Sequence, residues 1–248
     1  MKILFYFISL SLSLLFAFPS FAAKNFLMRR NLNYQTNFGE CAPRIAGDLS
    51  LILVKEFEKN HSLKEVKEKI LSEKLVEKYY LAGYKIDYDP LSRSLKFDFE
   101  CSLPLMKVQI YKGPNSQSYT AVLGTDGKLY DPGYEELMRK EGILSAPLPI
   151  LAFPIEEMDK SLQFEVAGLV AKIPPDLRRN LSEVIVGAKK DLTMIFSYQG
   201  KPTSIFLGEE EWANKVVKVQ KILNYMESKN KYPTVVNLTN LKKVVVKF

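Results

Sequence analysis

The chain has one histidine and two cysteines in 248 residues, and that scarcity removes most common catalytic arrangements. A Cys/His nucleophile needs both groups in contact, yet His61 stands in the charged stretch "EKNHSLKE", placed as a solvated residue just before a helix. Gly-rich phosphate loops, the G-x-S-x-G elbow, H-E-x-x-H and C-x-x-C are all missing, which leaves general-base work to carboxylates or lysines. The acid pairs Asp87/Asp89 and Glu156/Glu157 are the groups a wall-cutting glycosidase would need, but their spacing does not set them apart from surface residues. The acidic trio Glu209 to Glu211 precedes an amphipathic segment and reads as negative charge capping a helix N-terminus, not as a metal site. No period of 20 to 50 residues repeats, so a solenoid is excluded. The expectation is a non-catalytic protein without cofactor, metal, nucleic acid or small-molecule substrate.

What the chain does contain is apolar material for a core: 47% hydrophobic and 12% aromatic residues beside 25% charged ones. Residues 1–23 stand apart. Met1 and Lys2 precede an apolar block from Ile3 to Phe18 and then "PSFAAK", the pattern of a signal peptide or of a retained signal anchor. Either one exports the chain. In an oxidising compartment Cys41 and Cys101 are positioned to pair, closing a loop of about sixty residues; two buried free thiols are the alternative. The formal net charge of +7 reads as mostly scattered, because lysines alternate with glutamates from Glu56 to Lys78. A local excess stands at Lys242, Lys243 and Lys247, suited to an acidic partner, to anionic headgroups, or to protecting an exposed strand edge.

After a polar linker at residues 24–47, "LSLILVKEF" reads as a first strand. "SLKEVKEKI" begins a helix, with Ser62 and Glu65 at capping-box spacing. Leu63, Val66 and Ile70 share one face while Leu71, Leu75 and Tyr79 continue on a shifted one, which predicts a bend or two short helices. "YKIDYDPLSRSLKFDFE" alternates on both sides of a turn at Asp89 to Ser92 and predicts a hairpin.

A second region follows from "LMKVQIYKG". A hairpin turns at Asp126-Gly127, a short helix lies in "YEELMRKEG", and "APLPILAFP" reads as a proline-rich crossing. Ile155, Met158, Leu162, Val166, Leu169 and Ile173 form a helical stripe that Pro174 and Pro175 stop. Strands are predicted in "LSEVIVGA", "DLTMIFSY" and "PTSIFLG", and then the best helical stripe in the sequence, Trp212, Val216, Val219, Leu223 and Met226. A last hairpin joins Thr234 to Leu238 with Lys242 to Phe248, its final strand placing Val244, Val246 and Phe248 on a core-like face.

The ordered series "SLKFDFECSLPLMKVQIYKG", "LGTDGKLYD", "LPIL", "DLTMIFSYQGKPTSIFLGEEEWANKVVKVQKIL" and "VVNLTNLKKVVVKF" resembles the periplasmic part of the bacterial cell-division family FtsQ/DivIB. That resemblance implies an α+β chain: a small POTRA-like β-α(-α)-β-β domain at 48–104, then a larger mixed α/β domain at 105–248 with an antiparallel-rich sheet and an open C-terminal edge strand. The segment between the first strand and the hairpin is short for two helices, which implies a trimmed first domain. The resemblance further implies a non-catalytic division scaffold on the periplasmic side of the envelope, anchored in the inner membrane if the leader is retained. Its partners would be of the FtsB/FtsL type, adding a strand to an edge formed by Thr239, Asn240, Lys242, Lys243, Val245, Lys247 and Phe248. On that reading Val245→Pro removes an edge donor without touching the core. The alternatives are a secreted or envelope POTRA-like binding module serving another assembly, and a peptidoglycan hydrolase.

Overall fold

The structure, a computed structural model, describes residues 32–111, 119–154, 159–198, 200–240 and 242–248. The leader at 1–23 lies outside these, as do Ile155, Glu156, Glu157 and Met158. Among the described residues no helix is long and apolar enough to cross a membrane.

The fold is α+β, built on two separate sheets. The first unit runs β1 (Asn33–Asn37), α1 (Pro43–Asn60), α2 (Leu63–Ser72), α3 (Leu75–Lys78), β2 (Leu81–Asp89) and β3 (Ser94–Cys101). Its sheet has the order β1-β3-β2, with β1 parallel and β2 antiparallel to β3. Two expectations are corrected here. "LSLILVKEF" is not a strand but the middle of α1, which starts with Pro43 at its first turn and buries Ala46, Leu49, Leu53 and Phe57 on one stripe. The first strand is instead β1, inside the stretch read as a linker. It is polar ("NYQTN") and mostly exposed, and it is held by its backbone ladder to β3 and by a 2.8 Å hydrogen bond between the hydroxyls of Thr36 and Ser50. With β1 in place the first unit runs β-α-α-α-β-β, its third helix being the short Leu75–Lys78.

Ser62 accepts a hydrogen bond from the Glu65 amide at the start of α2, and Lys74 in the left-handed region separates α2 from α3, giving the expected bend. His61 is exposed and serves as the left-handed cap of α1, its amide donating to the Phe57 carbonyl.

The second unit follows after only Ser102 and Leu103. It comprises β4 (Pro104–Tyr111), β5 (Tyr119–Gly124), β6 (Leu129–Tyr130), α4 (Gly133–Lys140), β7 (Ile150–Pro154), α5 (Lys160–Ala171), α6 (Pro175–Arg178), β8 (Leu181–Val186), β9 (Leu192–Tyr198), β10 (Lys201–Gly208), α7 (Trp212–Ser228), β11 (Val235–Asn237) and β12 (Val245–Lys247). These form a nine-stranded mixed sheet, β12-β11-β10-β9-β8-β7-β4-β5-β6. The proline-rich crossing is corrected: Ile150–Pro154 is a strand between β4 and β8, parallel to both, with Leu151 and Phe153 buried. Of the stripe on α5, Leu162, Val166 and Leu169 are buried and Ile173 packs just beyond the helix end.

Helix α7 explains how the sheet ends. As the crossover from β10 it delivers β11 parallel to β10, and the hairpin return then lays β12 antiparallel on the outside. Trp212, Val216, Val219 and Leu223 anchor α7 to the core, each side chain stabilising by about 1.5–3 kcal/mol when fully buried.

A third, small cluster joins the units. Ala42 and Ile45 from the first turn of α1 pack on Tyr134 and Met138 of α4. Beside it Cys41 and Cys101 form a disulfide with Cα atoms 4.9 Å apart. The connector is held as firmly. The Tyr134 hydroxyl donates to the Ser102 carbonyl, Ser102 Oγ donates to Asp126 Oδ1 at 2.7 Å, and the Thr125 amide donates to the Leu103 carbonyl at 2.9 Å. Gly124 is required at this spot, because a Cβ there would collide with Ser102 Oγ.

The C-terminal edge as a candidate partner-binding surface

Strand β12 is the outermost strand of the large sheet, paired to β11 in the register Val235/Lys247, Val236/Val246 and Asn237/Val245. Which of its amides are free follows from the neighbouring ladder. The Ser204 amide donates to the Thr234 carbonyl and the Leu238 amide donates to the Phe206 carbonyl, the pattern that turns the Val236 backbone toward β10. Peptide groups alternate along a strand, so Val235 and Asn237 face β12, and their partners Lys247 and Val245 face back. The outward N–H and C=O therefore belong to Val246. This corrects the choice of Val245 for a proline substitution: Val245 donates into the ladder, and the edge donor is one residue on.

The seven residues expected on the edge divide into two groups. Val245, Lys247 and Phe248 lie on or just past β12, with Val245 and Phe248 50% and 61% exposed. Thr239, Asn240, Lys242 and Lys243 form the turn leading into it. The Thr239 amide donates to Asn237 Oδ1 at 2.9 Å, and the Lys242 amide donates to Asn240 Oδ1, also at 2.9 Å. The expected core-like face is corrected as well. Val246 is half-buried, but Val244 and Phe248 are exposed, because the core reaches Val236 and Leu238 of the β11 segment and goes no further.

Lys215 is a residue that the stripe of α7 does not announce. It is 3% exposed, and its ammonium donates to the Leu207 carbonyl at 2.7 Å and to the Thr239 carbonyl at 3.4 Å. It thus ties α7 to the end of β10 and to the turn before β12. Its signal in the sequence is a lysine three residues after Trp212 and next to Val216, on the inward side of the helix. Trp212 Nε1 donates to the Gly208 carbonyl at 2.6 Å and closes the same corner. The acidic trio flanks a cleft here, lined by Asp191, Lys215, Thr239 and Asn240. Side-chain capping by the trio is corrected: Glu211 is the N-cap residue in a left-handed conformation and caps no amide.

The charge also gathers at this end. Between Trp212 and Phe248 stand eight lysines and a single acid, Glu227, so this stretch carries a formal excess equal to that of the whole chain. The scattered charge read from the sequence cancels elsewhere, where ion pairs such as Lys107–Glu135 and Lys69–Glu56 consume it. Lys231 lies 6.0 Å from the Phe248 ring centroid and Lys229 lies 5.9 Å from that of Tyr225. Beside them Tyr198 stacks on Tyr232, and burial, helped by the charge of Glu227, pushes the Tyr198 phenol up to about 12.

Of the carboxylates weighed for catalysis, Asp87 and Asp89 lie among the described residues and have local partners. Asp87 pairs with Lys85 at 2.7 Å. Asp89 accepts from Ser92 Oγ and from the Leu91 amide in the hairpin turn, and those bonds hold its pKa below the usual carboxylate value, the reverse of what a general acid needs.

No protein-family model matches the sequence. Nor does any curated protein. A solved structure similar to part of the chain is the major extracytoplasmic domain, in its trans isomer, of the bacterial cell division protein DivIB from Geobacillus stearothermophilus. It is 16% identical, with a TM-score of 0.29, and the match covers 47% of this chain and 86% of that one.

Proposed function

We propose that this protein is a non-catalytic scaffold of the bacterial division machinery on the periplasmic side of the envelope, and that it binds its partner by adding a strand to β12. The observation that carries the reading is the outward-facing backbone of Val246 on an outermost strand whose solvent face is Val245 and Lys247. Backbone bonds supply affinity in such a mode and the flanking side chains supply selectivity. The resemblance of the ordered run of sequence segments to the FtsQ/DivIB family favours division as the setting, with FtsB/FtsL-type proteins as the proposed partners.

Depletion of the protein with imaging of a tagged copy tests the setting. Filaments without septa and signal at mid-cell are expected; normal division with diffuse envelope signal would transfer the fold to another envelope assembly. Val246→Pro tests the mode. It removes the outward donor and leaves the β11 ladder its bonds, so partner capture is lost while Val246→Ala, which keeps the amide, retains it. Equal capture by both variants would rule out strand addition.

A further inference from the structure

We propose that the Cys41–Cys101 disulfide is a redox-controlled clamp on the junction between the two units, open to thiol–disulfide exchange with a dithiol reductant.

The bond lies within the first unit, but what it ties together are the two segments of that unit that grip the second. On one side Cys41 leads directly into Ala42 and Ile45, which pack on Tyr134 and Met138. On the other side Cys101 leads directly into Ser102 and Leu103, whose carbonyls accept from the Tyr134 hydroxyl and the Thr125 amide. Tyr134 is fully buried and meets both segments. The contacts therefore close a ring: disulfide, first turn of α1, Tyr134, connector, and back to the disulfide. With the bond intact neither grip shifts without the other. With it reduced, α1 and β3 still share the core of the first unit, but the first turn of α1 and the end of β3 lose their direct tie, leaving the small cluster around Tyr134 to hold the junction.

Access to the bond depends on the junction. Both cysteines are buried, at 4% and 7% exposure, so a reductant reaches them only when the junction opens. Cys101 lines a cleft of about 440 Å³ together with Gly39, Phe99, Ser102 and Asp126. Once the junction opens, one thiolate of the reductant enters from that side, attacks Cys101 Sγ and expels Cys41 as a thiolate. The reductant's second thiol then breaks the mixed disulfide. Two electrons pass to the protein, the two cysteines end as thiols, and the reductant leaves as its own disulfide.

Coupling of this kind is reciprocal, which gives the test. If the bond holds the junction, loosening the junction exposes the bond. The oxidised full-length chain is treated with dithiothreitol, and the free thiols are counted over time by alkylation and mass spectrometry. Two variants loosen the junction from opposite sides, Ile45→Ala in α1 and Tyr134→Phe in α4; neither residue belongs to the core of the first unit. Both are expected to speed reduction by about fivefold or more. Small-angle scattering of the wild-type chain is expected to show a larger radius of gyration after reduction, with helix content unchanged. Reduction at the wild-type rate in both variants would make the bond an internal crosslink of the first unit and overturn the proposal. So would faster reduction with unchanged scattering, or a loss of helix content that accounts for the expansion.

Discussion

A lysine ammonium with 3% exposure is costly to bury, and Lys215 is tolerated because two carbonyls meet it. Its removal acts in two opposed ways. Lys215→Met relieves the burial of a charge and deletes hydrogen bonds made by a charged group, each worth about 1.5–3 kcal/mol. The global change is thus small, but the turn before β12 loses its tie. Amide exchange at Thr239 and Lys242 is expected to quicken about tenfold, and unchanged exchange would remove Lys215 from any positioning role. Asp126 sets a second test at this scale. Burial works to raise its pKa, but donation from Tyr130 Oη, Ser102 Oγ and the Lys128 amide outweighs burial and holds the carboxyl below its ordinary value of 3.8. A depressed pKa contributes stability that is complete above the unfolded value and is lost as pH falls through the folded one. Asp126→Asn should therefore flatten the fall in melting temperature below about pH 4 that the wild type shows. The same carboxylate, with burial as the larger cause, keeps the Tyr130 phenol raised.

At the scale of elements the sequence is read correctly wherever a face is apolar and bounded by turn residues. Strands β8, β9 and β10, the hairpin at Asp89 to Ser92 and helix α7 all carry that signature. It fails in two ways. A polar strand has no apolar alternation to read, and β1 is such a strand, paired through its backbone to a partner some sixty residues away. A short apolar run reads equally as strand or helix, and "LSLILVKEF" becomes helical only when the window extends back to Pro43. Leu51 and Leu53 separate the two readings. As a strand they would share a face, but in α1 Leu51 is 47% exposed and Leu53 is fully buried. Leu53→Ala is expected to cost about 2–5 kcal/mol in chemical denaturation and Leu51→Ala close to none. The edge was legible as a hairpin from Thr234 to Phe248, but not the direction of its amides, because that direction is set by the β10–β11 ladder and no pattern in the final strand records it.

Over the whole molecule, the charge excess and the open edge fall at one end. Lysine beside an unpaired strand keeps like edges apart, and Lys242, Lys243 and Lys247 are all exposed there. Changing the three to valine leaves both cores untouched and removes that barrier. The variant is expected to self-associate with rising concentration in sedimentation velocity while the wild type keeps a constant sedimentation coefficient. A constant value for both would mean that the turn and the short length of β12 already block pairing. Among the described residues a small cluster around Tyr134 lies between the two cores, and the hydrogen bonds of Ser102 and Leu103 reinforce it.

The pairing of β1 with β3 has a consequence in time. A chain emerging from its amino end presents Asn33–Asn37 long before Ser94–Cys101, the only strand that β1 pairs with among the described residues. Until β3 arrives, the polar strand has no ladder to join and α1 has no complete sheet to cover. Cys41 waits over the same interval, sixty residues ahead of its partner. The first unit thus closes only after β3 has emerged, and an enzyme that oxidises Cys41 before then has no native partner to give it.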